Sequence, residues 1–225
     1  MYNSYLKYSE WSIVEEDFKK ENHMSSESIF SLGNGIFGQR GNFEEDYSGD
    51  KLDGNYIGGI FYPDKTKVGW WKVGYPSYFA KTVNCPSWIR LSITINDEIL
   101  DLNKVKKINS FKRELNMKEG LLKRDFEVEL NNGKIIEVKS ERFISLKINE
   151  IGLLKYSVRC LNSDCNIVVR SFIDDKVFNI DSNWNEKFLK TDEILQNNDS
   201  TFIKSKVLKT DFKICSFSKK IGRAH

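Results

Sequence analysis

Trp70, Trp71 and Lys72, with Tyr75 just beyond, place three aromatic rings and an ammonium group within six positions. Pyranose rings carry apolar C–H faces against which aromatic side chains stack. A lysine beside them can donate hydrogen bonds to hydroxyl or phosphate oxygens. The same tryptophans also suit anchors of a core or an interface, where aromatic area dominates the energetics. Both readings stay open. Arg40 sits in a second unusual stretch, residues 28–45, where Gly33, Gly35, Gly38 and Gly41 are interleaved with Leu32, Ile36, Phe37 and Phe43. Large apolar residues between glycines imply a tightly packed turn, since glycine permits positive φ and close backbone approach. Within it, Arg40 reads as an ion-pair partner of Glu44 or Glu45, with anion binding as the alternative. Asn34 is expected in a left-handed conformation. Glu27, Glu44, Glu45 and Asp64 read as turn or ion-pair residues, so no catalytic residue is expected.

Gly33-Asn34-Gly35-Ile36-Phe37-Gly38 also spells G-x-G-x-x-G, with Asp53 twenty residues beyond Gly33. A dinucleotide site would need that motif to follow a buried strand and open a helix. Gln39-Arg40-Gly41-Asn42 opens a helix poorly, Asp53 lies in a turn-rich run, and no βαβ alternation follows. Nucleotide binding is therefore rejected.

Composition narrows the class further. The chain has 225 residues, 40% hydrophobic and 30% charged, with a net charge of +3. That is an ordinary globular balance, without the basic stripe that nucleic-acid binding requires. No apolar run approaches the ~18 residues of a membrane span, and the first residues lack a signal peptide's pattern. A cytoplasmic protein is expected. Cys85, Cys160, Cys165 and Cys215 form no metal-ligand spacing, and His23 and His225 stand apart from them. Buried free thiols are the expectation, and no metal is.

The elements that must position these residues are strands. Ile89, Leu91, Ile93 and Ile95 alternate with polar positions, the period of a half-buried strand. Phe126, Val128 and Leu130 do the same, and Asn131-Asn132-Gly133 then offers a hairpin turn before Ile136 and Val138. Further strands are expected over residues 153–160, 167–173, 202–208 and 212–217, separated by Asn, Asp and Ser turns. The one helical candidate is residues 11–18, where Trp11, Val14 and Phe18 share a face. Pro63 to Thr66 reads as a β-turn. Many short strands with regular turns predict an all-β, antiparallel sandwich.

The two dense blocks resemble the N-terminal domain of glycoside hydrolase family 65, a family made up mainly of disaccharide phosphorylases. The resemblance rests on Ser31-Leu32-Gly33-Asn34-Gly35, Arg40-Gly41, residues 42–45, Gly54-Asn55-Tyr56, Gly69-Trp70-Trp71-Lys72, Gly74-Tyr75-Pro76, Asn84 and Trp88. Residues 115–124 echo the family's L-D-M-x-x-G-x-L-x-R, with Asn116 in place of Asp. It implies a large β-sandwich over residues 1–219, without the (α/α)6 barrel that carries a catalytic glutamate. Residues 220–225 resemble a translated sequencing adapter and read as a non-native tail. It also implies that the parent enzyme cleaves a maltose- or trehalose-type disaccharide with inorganic phosphate as co-substrate and no cofactor. The products are β-glucose 1-phosphate and a free sugar, formed with inversion. A homodimer is implied, in which the loop near Trp70 reaches the neighbouring subunit. A stand-alone carbohydrate-binding module is the alternative.

Overall fold

The computed structural model describes residues 5–67 and 73–222. In chain order its elements begin with β1 (Leu6–Tyr8), β2 (Ser12–Glu16), the helix α1 (His23–Ile29), β3 (Leu32–Gly33) and β4 (Phe37–Gln39). Next come β5 (Asn55–Ile57), β6 (Phe61–Lys65), β7 (Tyr78–Thr82), β8 (Ser87–Ile95) and β9 (Glu98–Ile99). The long strands β10 (Lys107–Asn116), β11 (Leu121–Glu129), β12 (Ile135–Ile144), β13 (Gly152–Cys160) and β14 (Ile167–Asp174) follow. The last are β15 (Leu189–Gln196), β16 (Ser200–Val207) and β17 (Lys213–Lys219). The chain divides into two units, Met1–Asp53 with Ile89–Ser171, and Gly54–Trp88 with Phe172–His225.

In the first unit, a six-stranded sheet runs β1-β2-β10-β11-β12-β13, and a second sheet runs β14-β8-β9. The larger sheet is antiparallel throughout. Phe126 pairs with Val138, and Val138 with Val158, so three strands present one apolar row. That row meets Leu91, Ile93 and Ile95 of β8 in a shared core with Phe43, Phe111, Leu100 and Leu102. Each fully buried aliphatic or aromatic side chain there contributes about 1.5–3 kcal/mol. This face-to-face packing of sheets is the antiparallel sandwich the sequence predicts. Its hairpin turns use residues that tolerate positive φ. Asn96 and Asp97 both take positive φ, at 46° and 67°, as a two-residue hairpin requires. Gly133 closes the β11–β12 turn at φ 81°.

In the second unit, β15, β16 and β17 form an antiparallel meander, and β6 pairs with β7. Tyr62, Val83, Cys85, Phe188, Leu189, Val207 and Ile214 make its core. Among the described residues no helix is long and apolar enough to cross a membrane.

Two local expectations fail. Residues 12–16 are not helical: β2 pairs with β1 and β10, setting Glu15 opposite Arg113. Ladder pairing and a buried ion pair override the weak helical spacing. The helix comes later, at α1, whose buried side chains are His23, Ser26 and Glu27. Finally, Pro63, Asp64 and Lys65 lie in β6, where they pair with Ala80, Phe79 and Tyr78, instead of making a turn.

Candidate functional site

The glycine-rich corner is built around four buried arginines. Arg113 on β10, Arg124 on β11, Arg142 on β12 and Arg90 on β8 all point inward. An arginine cannot shed its charge, so each must find anionic or carbonyl partners when buried. The corner supplies them. Arg124 binds Glu44 and Glu45 together. Arg142 lies 3.4 Å from Glu44 and donates to the carbonyls of Arg40 and Asn42. Arg113 ion-pairs with Glu15 at 3.1 Å and donates to the Gly41 carbonyl. Arg90 donates to the Phe43 and Glu45 carbonyls. The Arg124 guanidinium also lies 4.2 Å from the centroid of the Phe43 ring, a cation–π contact in a dry setting.

A second layer closes over these pairs. Glu27 accepts from Asn42 at 2.8 Å and from the Leu52 amide, and lies 3.2 Å from His23. Tyr156 donates to Glu45 at 3.1 Å, and Ser26 to Glu15 at 3.0 Å. Burial pushes the Glu44 carboxyl upward, but Arg124 and Arg142 outweigh it and hold it below the ordinary carboxylate value. For Glu27 the same burial is outweighed by His23, Asn42 and the Leu52 amide. Burial, followed by the Glu45 charge, drives the Tyr156 hydroxyl well above its ordinary value. Burial lowers Arg113 to about 10, against the opposing pull of Glu15.

Glu44 and Glu45 are therefore ion-pair residues, as the sequence predicts, but fully buried ones, and Glu27 is held in its turn by hydrogen bonds from Asn42 and the Leu52 amide. The partner assigned to Arg40 is wrong. Glu44 and Glu45 are taken by Arg124 and Arg142, and Arg40 donates to Ser28 Oγ at 2.6 Å. Asn34 is not left-handed either. Gly35 carries the positive φ, at 86°, which frees Asn34 to cap the turn through its side chain. Its Oδ1 accepts from the Ile36 and Phe37 amides, and its Nδ2 donates to the Ser145 and Asn149 carbonyls. Gly41 is needed for a different reason: a Cβ there would come within 2.8 Å of Phe30 Cβ.

The aromatic candidates belong to the second unit. Trp70, Trp71 and Lys72 lie outside the described residues. Tyr75 is 48% exposed and meets Phe79 edge to face at 6.1 Å. Tyr78, on β7, is exposed as well. Sequence reasoning missed Trp184. Its indole nitrogen donates to the Lys65 carbonyl at 3.2 Å, and Lys65 and Lys67 place ammonium groups 5.8 and 5.7 Å from its ring. The neighbouring Asn183 amide donates to the buried Asp64. The signal was a lone tryptophan in a polar run, with no periodicity to mark it. Asp64 is thus committed to the backbone of residue 183. Nearby, Asn84 accepts from the Asn55 amide and donates to the Phe178 carbonyl.

Cys85 is buried, and burial raises its thiol to about 12. Cys160 and Cys165 are half-buried and Cys215 is exposed, which corrects the expectation of four buried thiols. Among the described residues no three His, Cys, Asp or Glu side chains group as metal ligands.

A sandwich whose signature corner is nested around buried arginines defines a class. The profile of the glycosyl hydrolase family 65 N-terminal domain matches residues 13–223, and the chain belongs to that family. It is 40% identical to the maltose phosphorylase of Bacillus subtilis (strain 168), over 92% of this chain and 27% of that protein. It is 32% identical to the alpha,alpha-trehalose phosphorylase of Thermoanaerobacter brockii, over 82% of this chain and 25% of that protein. A solved structure assigned as a kojibiose phosphorylase, from the human microbiome, superposes with a TM-score of 0.83 at 30% identity. That match covers 95% of this chain and 28% of the other. The chain spans about a quarter of the length of the curated relatives it matches.

Proposed function

We propose that this chain is the carbohydrate-binding and scaffolding N-terminal domain of an inverting α-glucoside phosphorylase. The parent enzyme converts a maltose- or trehalose-type disaccharide and inorganic phosphate to β-glucose 1-phosphate and a free sugar. It works in the cytoplasm as a homodimer and takes no cofactor. The observation that carries this reading is the 40% identity to a maltose phosphorylase across nearly the whole chain. The site geometry agrees with a supporting role. Glu27, Glu44, Glu45 and Asp64 each have a fixed partner, so none is poised to protonate a glycosidic oxygen. The chain alone is therefore inactive.

Exposed Tyr75, Tyr78 and Trp184 favour direct sugar contact by this domain. Trp70, Trp71, Lys72 and Tyr75 would supply the stacking faces and an ammonium donor. Arg40 is assigned to the same binding role. The exposed rings also support a second reading, a stand-alone carbohydrate-binding module. The test is to assay a full-length phosphorylase carrying this domain and the 225-residue chain with phosphate and maltose, trehalose or kojibiose, following the anomeric proton of the released sugar phosphate. β-Glucose 1-phosphate from the complete protein only is expected. A complete protein that binds disaccharide without phosphorolysis would leave the module reading.

A further inference from the structure

The turn joining β12 to β13 carries an apolar surface that the fold does not use. Leu146 is 80% exposed, Ile148 51% and Leu153 48%, and Phe143, Ile151 and Ile36 are also open to solvent. Single exposed aliphatics are ordinary; these six come from one turn, the strand ends that flank it and the adjoining Ile36 turn. Phe143 and Leu153 face each other across the β12–β13 ladder. Ile151 returns to Ser145 through a 2.9 Å backbone hydrogen bond. Asn34 ties the Ile36 turn to the Ser145 and Asn149 carbonyls at 2.8 and 2.9 Å.

The exposure is not that of a slack loop. Ser145 Oγ accepts from the Lys147 and Ile148 amides, and the Ile151 amide donates to the Ile148 carbonyl. The turn is therefore fixed from within and clamped by Asn34 from outside. A rigid apolar display loses little entropy when it is covered. Contiguous patches of about 300–600 Å² on a soluble domain are often functional.

We propose that these six residues form the surface on which the remainder of the phosphorylase chain docks. This rests on the function proposed above. The occupant follows from length: this chain matches 27% of the B. subtilis maltose phosphorylase and 25% of the T. brockii trehalose phosphorylase, so most of each relative lies outside it. The glycine-rich corner then acquires a second purpose. Asn34 and Gly35 hold the docking turn in place while the residues behind them anchor the buried arginines.

The test replaces the matched quarter of the B. subtilis enzyme with this chain and compares hydrogen exchange of residues 143–153 in the chimera and in the chain alone. Slowing of tenfold or more at the turn amides is expected in the chimera. A Leu146→Asp/Ile148→Asp double variant should leave the melting temperature of the chain alone unchanged, yet lower that of the chimera and abolish the slowing. Equal exchange in a chimera that turns over disaccharide and phosphate would overturn the proposal. So would a concentration-dependent dimer of the isolated chain that the double variant dissociates, because a second copy would then be the occupant. Protection in a chimera without phosphorolysis would support the docking surface while removing the proposed function.

Discussion

Arg124 sets both of its terminal nitrogens on the carboxylate of Glu45, one to each oxygen, with neither residue open to solvent. The pair is bidentate, the arrangement that a planar guanidinium fork favours. Because Glu44 shares the same guanidinium, one residue of β11 holds two adjacent acids of the glycine-rich corner.

Replacing Arg124 should therefore be far more damaging than an average core change. Arg124→Ala leaves the buried Glu45 without its cation and Glu44 with Arg142 alone, a loss of about 3–5 kcal/mol. Arg124→Lys should recover only part of it, since an ammonium cannot span both oxygens. Urea denaturation of the three proteins measures the difference, and equal midpoints would contradict the assignment.

The corner also sets an acid limit. Against the upward push of burial, Arg124 and Arg142 hold the Glu44 carboxyl, and His23 and Asn42 the Glu27 carboxyl, below the ordinary carboxylate range in the folded protein. Each depressed carboxyl contributes stability that is complete above its unfolded pKa and is lost as pH falls toward the folded one. Melting temperature should hold steady from pH 7 to about 5 and drop below 4.5. Asn42→Ala removes one hydrogen bond to Glu27, so it should lower the melting temperature at pH 7 and make the acid drop shallower. A flat profile down to pH 3 would count against the network.

Gly41 and Gly35 should respond differently to alanine. At Gly41 the new Cβ meets Phe30 at 2.8 Å and its carbonyl at 3.0 Å, so the corner must open, at a cost of about 1–3 kcal/mol. At Gly35 nothing lies within 4 Å, and only the positive φ is penalised, at about 1 kcal/mol. Thermal melts of both variants should rank Gly41→Ala as the less stable.

Ile93 lies at the centre of the sandwich with no exposed area. Ile93→Asp should leave the chain unfolded or aggregated, because a buried, unpaired carboxylate costs several kcal/mol. Unchanged circular dichroism and melting would show the placement to be wrong.

Thiol reactivity should separate the cysteines. Cys215 is exposed and should react with a disulfide reagent at the rate of a free thiol. Cys85, buried and raised to about 12, should react only on unfolding. Mass mapping of the labelled native protein distinguishes them.

The sequence announced strands where apolar residues alternate over several positions: Ile89 to Ile95 in β8, Phe126 and Val128 in β11, Ile136 and Val138 in β12, and the runs that became β13, β14, β16 and β17. β2 was hidden because its buried position is Glu15, and β10 because Arg113 occupies the matching one. Polar residues at core positions erase the period-two signal that water-facing alternation normally provides. α1 was hidden for a related reason: its buried side is histidine, serine and glutamate. The local partner for Arg40 failed because the true partners of Glu44 and Glu45 lie on β11 and β12, far along the chain. The glycine-rich corner itself was legible, since its residue types are improbable in any other setting.

The pairing of Glu15 with Arg113 spans 98 positions of chain. At ordinary rates of synthesis the glutamate leaves the ribosome roughly 5–20 s before its arginine exists. During that interval β2 has no β10 to lie against, and an acid destined for a dry interior remains in water. The amino-terminal strands are thus the first part made and among the last to settle. A nascent chain halted before Phe111 should stay open to proteases, and one extended beyond Ser171 should not.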